Sequence, residues 1–201
     1  MMRRLLSLAL LLPLAGCVAP TGPIEVTRFH APELAAHAPG AIAVVAAPGM
    51  DPGGIALRTF EEGVAAELQR LGYRTVEAGG AGGAGEVAEV RLERRTYRPE
   101  RSGSPVNVGV GGSTGSYGSG LGVGLGIDLS GPPPAVTETL LGVTIRERAS
   151  GRVLWEGRAS FIVRADSPLA TTPLGAAQMA RALFAGFPGR SGETVLVKPD
   201  S

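Results

Sequence analysis

The 201-residue sequence is poor in the side chains that carry most protein chemistry: it holds one cysteine and two histidines, and aromatics make up only 4%. A lone thiol cannot form an internal disulfide, so Cys17 does not staple this chain. His30 and His37 with Glu33 between them do not make a metal site, because Pro32 and Pro39 interrupt the helix that would bring them together. An excess of one charge is missing too, with 19 basic against 18 acidic side chains, which excludes a nucleic-acid partner held by overall charge. The apolar run Leu5 to Leu14 is too short to cross a bilayer as a helix. With few aromatics the core has to be aliphatic, and 31 glycines with 16 prolines call for numerous loops. A hydrophobic content of 44% over this length is nonetheless enough for one domain with a modest core.

The N-terminus has an order of features that composition does not show. Arg3 and Arg4 precede the apolar run, and Leu14, Ala15, Gly16 and Cys17 close it, which reads as an export signal over residues 1–16. The closing run resembles the lipobox of bacterial lipoproteins. That resemblance implies cleavage before Cys17, a diacylglycerol on its thiol and an acyl chain such as palmitate on the new amine. Several acyl chains hold a protein firmly, at about 0.8 kcal/mol per buried methylene, whereas one chain is marginal. Removal of the leader takes two of the 19 basic side chains, leaving 17 against 18 acidic ones and a net charge of −1. Val18 stands where, in the family rule, an aspartate would retain the protein in the inner membrane, so the expected location is the outer membrane, facing the periplasm. Residues 17–23 then form a lipidated tether, and Val18 to Pro23 at about 3.3 Å per residue reaches about 20 Å.

The folded domain is expected over residues 24–198. Ile24 to Phe29 and Ala41 to Ala47 read as strands. Leu57, Phe60, Val64, Leu68 and Leu71 recur at spacings of three and four, with Gly72 as the stop of a helix. Tyr73 to Val76 is a short strand, Gly79 to Gly85 a loop and Glu86 to Tyr97 a half-exposed strand. Val136 to Glu147 and Val153 to Val163 form a hairpin around Gly151, with Trp155, the only tryptophan, as a core anchor. Thr172 and Pro173 open a second helix that ends near Gly186, and Thr194 to Val197 closes the chain as a strand. The expected fold is an α+β two-layer sandwich, a mostly antiparallel sheet with two helices on one face and the other face open.

Between the two strand-rich halves lies the insertion 102–131, in which 11 of 30 residues are glycine. Leu121, Val123, Leu125, Ile127 and Leu129 alternate there with Gly122, Gly124, Gly126 and Asp128. Such alternation predicts a Gly-rich hairpin with one apolar and one nearly bare face.

The lipobox, the Leu71, Gly72, Tyr73 end of the first helix, the hairpin bearing Gly151, Arg152, Val153, Leu154 and Trp155, and the closing helix running into Phe187 and Pro188 together resemble one family. They are similar to the bacterial lipoproteins grouped as domain of unknown function 4136. The resemblance covers Ile24 to Val197 and implies a location and a fold, with no established activity.

Two glycine motifs invite enzymatic readings. Gly111 to Gly115 matches G-x-S-x-G, but neither flank reads as helix and both histidines precede the serine, against the order of that hydrolase fold. Gly80, Gly82 and Gly85 match G-x-G-x-x-G, but a strand follows where a phosphate site needs a helix N-terminus. No catalytic residue, cofactor or metal site is therefore assigned, and the chain reads as a non-enzymatic binding or assembly component of the cell envelope with an unidentified protein partner. Candidate interaction residues are Arg94 and Arg98, facing anionic headgroups or an envelope polymer, and Leu121, Val123, Leu125 and Ile127. The alternatives are a homo-oligomeric pore or secretion component that inserts the Gly-rich hairpin into the membrane, and an enzyme of unrecognised type.

Overall fold

The computed structural model describes residues 21–36, 38–77, 83–100, 106–115, 118–127, 132–171 and 173–199. Residues 1–20 with Cys17, and His37, Gly80, Gly82 and Arg101, lie outside them. In chain order the elements are β1 (Ile24–His30), a 3-10 turn (Pro32–Ala36), β2 (Ala41–Ala46), α1 (Ile55–Arg70), β3 (Arg74–Thr75), β4 (Glu86–Tyr97), β5 (Val106–Gly115), β6 (Gly118–Ile127), β7 (Val136–Glu147), β8 (Val153–Arg164), α2 (Pro168–Thr171), α3 (Pro173–Phe184) and β9 (Thr194–Val197).

Helix α1 forms where the apolar spacing predicts it and buries Leu57, Phe60, Val64 and Leu68. It ends in a Schellman arrangement: the Tyr73 amide donates to the Leu68 carbonyl and the Gly72 amide to that of Gln69. This closure needs a left-handed residue after the helix, and Gly72 supplies it with φ of 95° at no Cβ cost.

Seven strands make one sheet in the order β3-β2-β4-β7-β8-β1-β9, while β5 and β6 pair with each other in a separate two-stranded sheet. The ladders from β4 to β9 are antiparallel, and only β2 runs parallel to its neighbours β3 and β4. That exception follows from connectivity. β2, α1 and β3 form a β-α-β unit whose helical crossover returns the chain in the same direction. Helices α1 and α3 pack against each other and cover one face of the sheet, so the fold is a two-layer α+β sandwich with an open second face.

Two details differ from the sequence expectation. A four-residue helix, α2, precedes α3, because Ser167 turns the chain and its hydroxyl accepts from the Leu169 amide at 3.3 Å. The second concerns β8, where strict alternation puts Val153 on the same side as Trp155. The β7–β8 register shifts between Ile145 and Arg146, and Leu154 and Trp155 are both buried while Val153 is exposed. A bulge places successive residues on the same side, which alternation alone cannot foresee.

Trp155 does anchor the core. Its indole stacks on Phe184 with centroids 5.1 Å apart, meets Phe187 at 5.3 Å, and donates from Nε1 to the Pro188 carbonyl at 3.0 Å. Phe187 in turn meets the buried Tyr73 edge-on at 6.5 Å. Burial, and then the charge of Glu86, push the Tyr73 phenol up to about 12, so it stays neutral.

β4 and β7 pair without interruption from Glu86 opposite Glu147 to Tyr97 opposite Val136. The chain between them thus leaves and re-enters at one end of a completed ladder. Deleting residues 103–130 and joining the ends with a short glycine-serine turn is expected to shift the unfolding midpoint by no more than about 3 °C. Circular dichroism melting checks this, and loss of the cooperative transition would make the segment part of the core.

Candidate functional site

Strand alternation sorts each strand of the large sheet between a helix-covered face and an open one. On β4, Ala88, Val90 and Leu92 are buried under the helices, and Val87, Glu89, Arg91, Glu93 and Arg95 occupy the other side. On β7 the open side carries Glu138, Leu140, Gly142 and Thr144, and on β8 it carries Glu156, Arg158, Ser160 and Ile162.

The register makes Gly142 the Cα partner of both Arg91 and Arg158. A glycine flanked by two long side chains leaves a hollow, and a concavity of about 520 Å³ lies there, bordered also by Glu89, Arg146 and Glu156. The hollow is not forced by crowding, because a Cβ at Gly142 would find Arg91 Cβ at 3.6 Å, an ordinary contact.

Two of its arginines are ion-paired and the third is held by a backbone carbonyl. Arg146 Nε donates to Glu89 Oε2 at 3.0 Å, an Arg158 terminal nitrogen donates to Glu156 Oε1 at 2.6 Å, and Arg91 donates to the Pro48 carbonyl at 3.1 Å. Further along, Arg95 meets Glu138 at 2.5 Å and lies 5.1 Å above the Tyr97 ring. Beside these pairs Leu140 and Ile162 are 40% and 46% exposed. Donors, acceptors and aliphatic patches therefore alternate on a rigid sheet. That arrangement fits a polar surface of mixed charge better than a single anion, since Arg91, Arg146 and Arg158 are matched by Glu89, Glu93 and Glu156.

The residues singled out from sequence scatter. Arg94 sits on the helix side of β4, where its guanidinium donates to the Ala170 carbonyl at the end of α2, so it ties the layers together. Arg98 follows the strand in an exposed connection. Leu121, Val123, Leu125 and Ile127 fall on β6. His30 is held by the Ala31 carbonyl at 3.1 Å and Glu33 by Arg152 at 3.8 Å, and no group of three metal-ligating side chains occurs among the described residues. Ser113 of the G-x-S-x-G run lies within β5, opposite Gly120 of β6. The Arg91, Gly142, Arg158 row escaped sequence reading. The positions lie on three strands, and the only signal was a glycine inside an otherwise regular strand pattern.

No family model matches the chain. A 61-residue stretch is 36% identical to an uncharacterized protein of Zymomonas mobilis, covering 30% of this chain and 23% of that one. Among solved structures, a PDZ domain protein from Parabacteroides distasonis superposes with a TM-score of 0.51 at 13% identity, covering 88% of this chain and 39% of its own. A PelC dodecamer from Paraburkholderia phytofirmans gives a TM-score of 0.45 at 14% identity over 84% of this chain and 99% of its own. The chain thus spans only about a quarter of the curated relative and two fifths of the first structure. The likeness to the Parabacteroides distasonis structure concerns the fold.

Proposed function

We propose that the chain is an outer-membrane lipoprotein of the type grouped as domain of unknown function 4136, anchored through Cys17 and facing the periplasm. It acts without catalysis, as a binding or assembly component that offers the open face of its sheet to an envelope protein. The observation that carries this reading is the open face itself. One layer of helices covers one side of a seven-stranded sheet, and the other side presents paired charges, the Gly142 hollow and exposed aliphatic residues. A solvated antiparallel sheet needs no partner for stability, but a hollow ringed by preorganised arginines lowers the entropy cost of docking a partner there.

The reading predicts that the double substitution Arg91→Glu, Arg158→Glu weakens capture of the partner about ten-fold or more, because it sets like charges around one hollow. In-cell crosslinking of the lipidated protein identifies the partner. Titration of that partner against wild type, the double variant and Arg58→Glu on the exposed side of α1 then measures the effect. Equal affinity of all three forms overturns the open face as the docking surface. A Cys17→Ala protein that still floats with membranes overturns the anchor.

A further inference from the structure

The β5–β6 ladder sets Val106 opposite Ile127, Val108 opposite Leu125, Val110 opposite Val123 and Gly112 opposite Leu121. Directly opposite positions of an antiparallel pair share a face, and intervening positions fall on the other. One face therefore takes seven aliphatic positions in four successive rungs, and the other takes Asn107, Ser113 and eight glycines. Neither strand joins the large sheet, so each keeps an edge without a ladder partner among the described residues.

The tertiary structure also fixes where this ribbon leaves the domain. Tyr97 and Val136, the last and first residues of β4 and β7, are opposite one another, and Val136 is opposite Arg164 at the end of β8. β1 runs antiparallel to β8 with Glu25 opposite Ser160, so the start of β1 and the end of β8 lie together, with Gly22 beside the Ile162 carbonyl. The ribbon and the N-terminal tether consequently depart from the same end of the sheet.

Each strand of the ribbon has 10 residues. At about 3.3 Å per residue and a tilt of about 45° that spans about 23 Å, close to the apolar band of about 25 Å on outer-membrane barrels. A two-stranded ribbon buries too little to be stable alone in water. Lipid can cover its aliphatic face, but hydrocarbon does not tolerate unpaired strand edges, so those edges need strands of matching length and register. The same ribbon in further copies of this chain meets that need by symmetry.

We infer that β5 and β6 form a membrane-inserting ribbon whose edges pair with those of other copies, closing a barrel with the aliphatic face toward lipid and the glycine face toward the lumen. The inference rests on the lipoprotein reading only for holding the ribbon at the bilayer, and it is independent of the open sheet face.

The test is a cysteine scan from Leu121→Cys to Ile127→Cys in the full lipidated protein, labelled with an environment-sensitive dye. The labelled protein is reconstituted in phosphatidylethanolamine and phosphatidylglycerol vesicles. Spin-labelled lipid is expected to quench the dye about three-fold more at 121, 123, 125 and 127 than at 122, 124 and 126. Equal quenching at both sets, quenching at neither, or a strictly monomeric particle in detergent overturns the inference. The parent protein, with no introduced cysteine, separates the two readings. If it takes up dye, Cys17 is unacylated and the anchor fails, and the scan repeated with Cys17→Ser still decides the ribbon by its period of two.

Discussion

Gly157→Ala is expected to destabilise the domain by about 3 kcal/mol and to lower its melting temperature by about 6 to 12 °C. A Cβ at this position would overlap the indole Cη2 of Trp155 and stand 2.8 Å from Leu183 Cδ1. The indole has no room to yield, because it is stacked on Phe184 and its Nε1 is bonded to the Pro188 carbonyl. Overpacking of this kind forces the ring out of its place or the strand off its ladder. Urea unfolding followed by circular dichroism measures the loss. A smaller aromatic gives the test its specificity: Trp155→Phe introduced into the Gly157→Ala background should cost less than the sum of the two single changes. Gly142→Ala on the adjacent strand is the control and should change stability by less than about 0.5 kcal/mol, since its Cβ meets open space and Arg91 Cβ at 3.6 Å. An equal loss at both glycines would contradict the packing argument.

Arg28→Met should cost a similar amount, about 3 kcal/mol, although it replaces a charged side chain with an apolar one of comparable length inside the core. Arg28 is buried on the helix side of β1, and its guanidinium donates from Nε to the Leu183 carbonyl at 2.9 Å and from a terminal nitrogen to the Ala182 carbonyl at 2.8 Å. These are carbonyls of the last turn of α3, at the negative end of its dipole, where the Ala182 carbonyl otherwise accepts only a long 3.3 Å bond from the Ala185 amide. Burial pulls the pKa of Arg28 down, and Glu193 partly opposes that. The connection after α3 is shaped around the same side chain: Gly189, at φ of 83°, leaves space where a Cβ would come within 2.9 Å of Arg28 Cδ. Methionine would satisfy neither carbonyl. Lysine would restore only part of the stability, because one ammonium cannot match the planar fork that reaches two acceptors. Thermal melting of Arg28→Met and Arg28→Lys checks both statements, and a lysine variant as stable as wild type would show that charge alone suffices.

Neither Arg28 nor Gly157 shows its role in the local strand pattern. Arg28 alternates with Ile24 and Val26 in the chain, so it shares their core-facing side, yet a charged residue there looks like a flaw in the strand pattern until α3 is placed over it. Gly157 looks like a weak point in a strand until the indole is placed over it. The acceptors of Arg28 are 155 and 154 residues away. The indole is only two residues from Gly157, but Phe184 and Pro188 hold it over the glycine, and local periodicity carries no information about either. The open-face row of Arg91, Gly142 and Arg158 is of the same kind, assembled from three strands by register.

Local patterns determined the individual elements. Spacings of three and four set α1, Gly72 stopped it, and alternation set β4 and β7 with the bounds they have in the folded chain. These features depend on the backbone's own periods and on glycine's freedom at positive φ, which act within a few residues. The alternation of aliphatic residues with glycine from Leu121 to Leu129, and the run Leu14, Ala15, Gly16, Cys17 that resembles a lipobox, are likewise local patterns. Only the tertiary structure decided that β1 lies between β8 and β9, that β2 runs parallel to its neighbours, and that β4 ends and β7 begins at the end of the sheet where β1 starts. Strand order and register are chosen by the burial of whole faces against helices far away in the chain, and that choice is made jointly by all the strands.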